Sequence, residues 1–333
     1  MHDDLLRRDT RRFEPLSRRG FLASAGMFGA SAWLAPNRLL AAQLAPAVNR
    51  PAQMGIVEEI RTAAATEPIA VQQLPGNLVV LMGNGGNVVA LSGDDGVLLI
   101  DAGIVGSKVA AAVASVTRAP IRHLVNTHWH FDHTDANDWH HANGAAIMAQ
   151  EKTRARMSTA TRVRDWNFTF PPSPAGALPE TVFADARDLR INGSLIQLKH
   201  YAPAHTDSDI SAHFTDADVL HVGDTWWNGI YPFIDNSTGG SIDGMIGATE
   251  QNLTKAGGKT IIVPGHGPVG DRASLARWSD MLVTVRDRVA ELKKKGQPLS
   301  AVLAARPTAP FDAEYGGGLI TPDLFTRIVY ERV

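Results

Sequence analysis

From Asn77 onward, short apolar runs of about five residues alternate with turn-forming clusters. In "NLVVLMGNGGNVVALSGDDGVLLIDAG" the runs are rich in Val, Leu and Ile, and "GNGGN" and "GDDG" separate them. This is the signature of strands joined by tight turns, so an antiparallel meander is expected. "GNGG" has neither a GKS nor a GxGxxG form and no helix pattern follows it, so it is read as a hairpin turn. The pattern then changes period. "GSKVAAAVASVTRAP" reads as an Ala-rich helix ending before Pro120, and "IRHLVNTH" as a strand. A helix near Ala136 to His141, a strand at "AAIMAQ" and a helix from "EKTRARM" follow. Pro-rich "FTFPPSPAGALPE" reads as a loop. "DLRINGSLIQLKHY" is a hairpin around Asn192-Gly193, and "SDISAHFTDADVLHVGD" another near Asp216. A helix at "SIDGMIGATEQNLTKAG", a strand and loop at "KTIIVPGHG" and a long amphipathic helix at "RASLARWSDMLVTVRDRVAELKKKG" close the series.

Strands, then helix–strand alternation, then strands, then helix–strand–helix suggest two similar βα halves. The fold class expected is α/β: a four-layer αβ/βα sandwich, two mixed sheets packed face to face with helices outside. Residues 76–333 would form this domain and residues 43–75 a linker, with one short helix near Val57 to Ala65.

The first 42 residues have a different character. "RRFEPLSRRGFLASAGMFGASAWLAP" is a basic stretch followed by an apolar, small-residue run from Phe21 to Leu34. That run is short for a bilayer span, and Ala41, Ala42 and Ala45 offer a peptidase site. "SRRGFL" resembles a twin-arginine export signal. Residues 1–42 are therefore expected to be a signal peptide read by the twin-arginine machinery. The protein would then be periplasmic or secreted, with no stable membrane span after signal removal.

Composition narrows the chemistry. The 333 residues carry a net charge of −2 and 20% charged residues, with no basic footprint for nucleic acid. There is no cysteine, which removes disulfides, thiolate ligands and a cysteine nucleophile together. Against that background "NTHWHFDHTD" stands out: of 12 histidines, it holds His128, His130 and His133, with Asp132 among them. Such crowding needs something to draw the side chains together, and two metal ions would do so. His205 in "PAHTDSD", Asp224 in "HVGDTWW" and His266 in "VPGHG" supply further ligands from strand ends and Gly/Pro loops. Imidazole and carboxylate suit zinc. His128 and His130, two apart on an extended segment, point the same way. Asp132 and His133 can face a neighbouring ion. Asp224 is free to bridge the two.

"THWHFDH", "AHT", "GD" and "PGHG", in that order, resemble the metallo-β-lactamase superfamily of dinuclear metallohydrolases, from about Leu78 to Lys295. The resemblance implies His128, His130 and His205 on a first metal and Asp132, His133 and His266 on a second, with Asp224 bridging. It implies that Asp101, ending the strand in "LLIDAG", braces the His loop. It further implies two Zn2+ ions, with iron or manganese as alternatives, and hydrolysis of a small-molecule ester, thioester, lactone or amide by a metal-bridging hydroxide that Asp132 orients. The absence of cysteine and the bridging Asp224 resemble the glyoxalase II and lactonase branch. Where many relatives carry Gly-Gly-Asn, this chain has Asp135-Ala136-Asn137. A β-lactam substrate, iron-based redox chemistry and non-catalytic metal binding are the alternatives.

Other residues read more plainly. His140 and His141 are expected to be partly exposed bystanders. His123, His200, His213 and His221 are expected to be core or edge histidines. Trp226, Trp227, Tyr231 and Phe233 follow Asp224 closely, as core or as the lining of a substrate mouth.

Overall fold

The computed structural model describes residues 55–333. The signal-peptide reading therefore lies outside the described residues, as does the first part of the linker. Two mixed sheets dominate. The first has the order β1 (Ala70–Leu74), β2 (Leu78–Met82), β3 (Val88–Leu91), β4 (Val97–Ile100), β5 (Ile121–Asn126), β6 (Ala146–Gln150), with β9 (Thr181–Phe183) at its far edge. β1 to β4 pair antiparallel; β4, β5, β6 and β9 pair parallel. The second sheet runs β10 (Ala186–Ile191), β11 (Ser194–His200), β12 (Ile210–Phe214), β13 (Val219–His221), β14 (Ile261–Val263). Its last pair is parallel and the others antiparallel.

Strand β2 shows how sequence becomes layers. All five of its side chains are buried, yet to two different faces. Leu78, Val80 and Met82 pack with Ile196, Leu198, Ile210 and Phe214 of the second sheet. Val79 and Leu81 pack the other way, with Val109 and Val113 of the helix Gly106–Ala114. A period-2 strand buried on both faces needs a partner layer on each side. On the far side of the second sheet, Leu220 and Ile262 meet Met245 of the helix Ile242–Lys255 and Leu275, Trp278 and Leu282 of Arg272–Lys294. The result is helix, sheet, sheet, helix, the four-layer sandwich expected.

Local chemistry agrees with this plan. Asn192 and Gly193 take φ of 55° and 76°, the left-handed pair that a two-residue hairpin turn requires. The helix Arg272–Lys294 starts with a capping box: Asp271 accepts from Ser274 N at 2.8 Å, and Ser274 Oγ accepts from Asp271 N at 3.0 Å.

Three expectations need correction. The sheet begins before residue 76, because Ala70–Leu74 pairs along its length with β2; three of its five residues are exposed, so it lacks an apolar pattern. The stretch read as a Pro-rich loop opens with a strand, β8 (Phe168–Phe170), paired with β7 (Thr161–Val163). Three-residue strands are too short to show a period. His140 is buried rather than exposed: its Nε2 donates to Ala102 O at 3.3 Å, and burial lowers its pKa to about 4. His141 is only half-buried, beside Glu180. His221 is a satisfied core histidine, donating to Asn87 O and accepting from Gly223 N. Beyond residue 295, the helices Leu299–Ala304 and Pro322–Arg332 pack on Arg272–Lys294. Among the described residues, no helix is long and apolar enough to cross a membrane.

Candidate metal centre

Asp101 follows β4, the His128–His133 segment follows β5, His205 lies in the loop after β11, Asp224 follows β13 and His266 follows β14. These five carboxyl ends meet at one edge of the sandwich, and both sheets contribute. The seven proposed ligands fall into two buried groups: His128, His130, His205 and Asp224, then Asp132, His133 and His266. Within each group the ligating atoms lie within 4.8 Å of one another.

Each imidazole of the first group is pinned on its outer nitrogen. His205 Nδ1 donates to Phe233 O at 2.8 Å, and His130 Nε2 donates to Asp235 Oδ2 at 3.2 Å. A carbonyl and a carboxylate only accept, so both protons are assigned. The inner nitrogens, His205 Nε2 and His130 Nδ1, are therefore lone pairs in the neutral rings, and they face each other at 2.8 Å. Two lone pairs at that distance repel unless a cation lies against both. His128 Nδ1 sits 3.1 Å from Thr127 Oγ1, whose proton goes to Asp101 Oδ2 at 2.8 Å. This leaves His128 Nε2 buried and unpartnered.

The second group shows the same need. His133 Nδ1 donates to Asp101 Oδ2 at 2.8 Å, while its Nε2 has no hydrogen-bond partner although Asp224 Oδ1 is 3.0 Å away. His266 Nε2 lies 3.2 Å from Asp132 Oδ2 and 3.3 Å from Asp224 Oδ2, again without hydrogen-bond geometry. Buried polar atoms rarely go unpaired, because burial without a partner costs free energy. The orphaned nitrogens, the facing lone pairs and the all-nitrogen-and-oxygen donor set fit two divalent metal ions, with Asp224 reaching both groups.

Electrostatics separates the two groups. Burial, reinforced by neighbouring imidazoles, holds His128 well below the usual histidine range; burial also lowers His205, to about 4. Burial opposes charging His266 too, but Asp224 and Asp132 outweigh it and raise it to about 9. His133 is raised in the same way, against burial, by Asp224, Asp132 and Asp101. Burial would raise Asp224, but the four surrounding imidazoles hold it well below the carboxylate range.

The backbone is shaped around these groups. Asp101 adopts φ 68°, a left-handed conformation that costs a non-glycine residue of order 1 kcal/mol. There its carboxylate takes Thr127 N at 2.7 Å as well as Thr127 Oγ1 and His133 Nδ1. A side chain on Gly265 would collide with the Asp224 carboxylate, and one on Gly86 with the His133 ring. The "GNGG" turn is thus also a wall of the centre. In the variant Asp135-Ala136-Asn137 segment, Asn137 exchanges two hydrogen bonds with Asn126, at 2.9 and 3.0 Å, and Ala136 is buried. Asp135 pairs with Arg61 at 2.7 Å.

A cavity opens over the two groups. Its floor holds Gly85, His130, Asp132, Asp224 and His266. Its walls are apolar: Phe131, Trp166, Trp227 and Phe233 beside the floor, and Ile60, Ala63, Leu319 and Ile320 above. The four aromatics after Asp224 divide. Trp227, ring centroid 4.2 Å from His266, and Phe233 line the cavity. Trp226 and Tyr231 do not. Both are fully buried in the helical core, Tyr231 stacked on Phe325 and donating to Thr308 O. Of the two readings the sequence allows, these two side chains follow the core one, and their place at a substrate mouth is withdrawn. Sequence reading also missed Asp235, Thr127 and Trp166. Trp166 sits in the turn between β7 and β8, away from every motif in the sequence.

Residues 81–283 match the family model of the metallo-β-lactamase superfamily. No curated protein matches the chain in sequence. Among solved structures, a stereoselective inverting sec-alkylsulfatase from Pseudomonas sp. is 17% identical with a TM-score of 0.59, over 79% of this chain and 50% of that one. A metallo-β-lactamase from Pontibacter korlensis is 17% identical with a TM-score of 0.52, over 64% of this chain and 98% of that one. The B3 metallo-β-lactamase BLEG-1 is 18% identical with a TM-score of 0.52, over 64% and 99%. At these identities the likeness is one of fold. This chain spans half the length of the alkylsulfatase.

Proposed function

The chain belongs to the metallo-β-lactamase superfamily, and on that footing we propose an exported hydrolase that uses two metal ions to cleave an ester, thioester, lactone or amide. The observation that carries the reading is the pair of buried ligand groups, in which His128 Nε2, His133 Nε2, His266 Nε2 and Asp224 Oδ1 have no hydrogen-bond partner. His128, His130 and His205 would hold one ion and Asp132, His133 and His266 the other, with Asp224 between them. When bound, such ions supply Lewis acidity for a carbonyl oxygen and a water acidic enough to attack near neutral pH. Zinc is the ion we favour, because the donors are imidazole and carboxylate.

The protein's own residues do the rest. Asp101 and Asp235 fix the tautomers and ring directions of His133 and His130. Asp132, on the floor beside His266, would orient the attacking water and accept its proton. Trp166, Trp227 and Phe233 narrow the approach and keep bulk water from the reacting carbonyl. Asp224 and the lack of cysteine support the glyoxalase II and lactonase branch over the cysteine-liganded lactamases. Export rests on "SRRGFL" and the apolar run after it.

Elemental analysis after zinc reconstitution, alongside hydrolysis of lactone, thioester and β-lactam panels, tests the reading. Two tightly bound ions per chain and metal-dependent turnover are expected. A single bound ion, or turnover that survives chelation, would sink it.

A further inference from the structure

The upper wall of the cavity comes from outside the region that matches the family. Ile60 and Ala63 belong to the helix Ile56–Thr66, and Leu319 and Ile320 to the C-terminal segment, while the family match spans residues 81–283. These four side chains offer only carbon to whatever lies against them. Among the described residues, no lysine or arginine lines the cavity. Two cations at the helix Ile56–Thr66 are already engaged. Arg61 is held by Asp135 at 2.7 and 3.2 Å, and Lys108 Nζ donates to Ala64 O at 2.6 Å and to Glu67 O. Two neutral donors remain: Trp166 and Trp227 both line the cavity, and each indole N–H is buried without a protein partner.

We infer that the substrate is an uncharged acyl compound whose apolar tail lies along Ile60, Ala63, Leu319 and Ile320. This rests on the proposed hydrolysis and narrows its substrate class. The argument is one of desolvation. A tail ending in carboxylate or sulfate would lose water against this wall and meet no cation among the described residues, a loss the wall cannot offset. An alkyl or aryl tail loses nothing and gains burial.

The test uses the zinc-loaded protein and two matched p-nitrophenyl esters, pentanoate and glutarate half-ester, of equal chain length but differing in a terminal carboxylate. The pentanoate is expected to have a kcat/KM at least about tenfold higher. In Ala63→Lys the gap should narrow or reverse, since the new ammonium would meet the carboxylate. Ala63 is half-buried in a helix that lysine suits. Ile60→Lys serves the same purpose if Ala63→Lys does not fold, as judged by melting. A binding arm separates this inference from the reading beneath it. N-butylpentanamide and its carboxylate-ended analogue, N-butylglutaramic acid, are titrated calorimetrically into both zinc-loaded and metal-free protein. If no ester is hydrolysed yet the neutral amide binds more tightly, the hydrolase reading falls and the substrate-class inference stands. Equal or better turnover of the glutarate, or equal or tighter binding of its amide analogue to both forms, would overturn it.

Discussion

The floor and the roof of the cavity are built on opposite principles. The floor places two carboxylates and five imidazoles at the carboxyl ends of strands from both sheets, and four of the imidazoles, His128, His130, His133 and His205, are each held by a second, buried group. The roof is a patch of aliphatic side chains on a short helix and a C-terminal segment, tied down by a few polar contacts. The floor is over-determined: Asp101 alone restrains Thr127 and His133 and accepts a left-handed backbone to do so. Chemistry that depends on lone-pair direction needs that redundancy, whereas an apolar wall needs only shape. Changes in the floor should therefore abolish function with the fold intact, and changes in the roof should move specificity.

The largest effect is expected at Asp224, the one ligand within reach of both groups. Asp224→Ala leaves His133 and His266 with Asp132 as their only nearby carboxylate ligand. We expect one ion fewer per chain and kcat/KM lower by about 10³-fold or more. Metal content, turnover and circular dichroism measured together check this. Two retained ions with near-normal turnover would show that the floor does not depend on a bridge.

Adjacent tryptophans give the sharpest contrast between core and cavity. Trp226 is wholly buried in the helical core, and Trp227 lies over His266 in the cavity wall. Trp226→Ala is expected to cost about 3–5 kcal/mol of stability, with KM little changed in the protein that still folds. Trp227→Ala should raise KM more than it lowers kcat, with a smaller loss of melting temperature. If the two variants behave alike in both measurements, the division between floor, roof and core is wrong at this point.

Asp235 tests whether the floor's redundancy matters. It orients His130 through Nε2, and it also accepts from Ser237 N at 2.9 Å and Thr238 Oγ1 at 2.7 Å. Asp235→Ala should lower zinc affinity about 10- to 100-fold. A competition titration with a chromogenic chelator reads this directly. Unchanged affinity would mean that packing alone orients the ring.

How much was legible follows the same division. The floor was readable because metal ligation demands particular residue types at fixed spacings, and His128, His130, Asp132 and His133 satisfy that demand within six residues. Long strands and helices were readable from period, as in β2 and Arg272–Lys294. Asp235 and Thr127 were not, because an aspartate in "FIDN" or a threonine before a histidine has many ordinary roles until the fold sets it beside a ring. The roof was opaque for a different reason. Ile60 and Ile320 are 260 residues apart and look like any amphipathic helix face or loop anchor. Nothing local marks them as facing the same space. Trp226 and Trp227 could not be told apart from sequence, since successive residues on an extended chain point opposite ways whichever is core.

The smallest effect is expected where roof meets floor. Arg61, on the roof helix, pairs through Nε and Nη2 with Asp135, two residues beyond His133. Its guanidinium carbon also lies 5.2 Å from the centre of the Phe131 ring. The two side chains are 38% and 24% exposed, which places the pair in the solvent-screened class. Such pairs contribute about 0.2–1 kcal/mol. Arg61→Gln should therefore lower the melting temperature by only about 2–4 °C at most for a domain of this size. Its sharper signature should be local. The amides of the helix Ile56–Thr66 should exchange faster while those of β5 keep their protection, because the floor is held by Asp101 and Asn137 rather than by Arg61. Equal loosening of β5 would show that the roof braces the floor, and the two would then have to be treated as one structure.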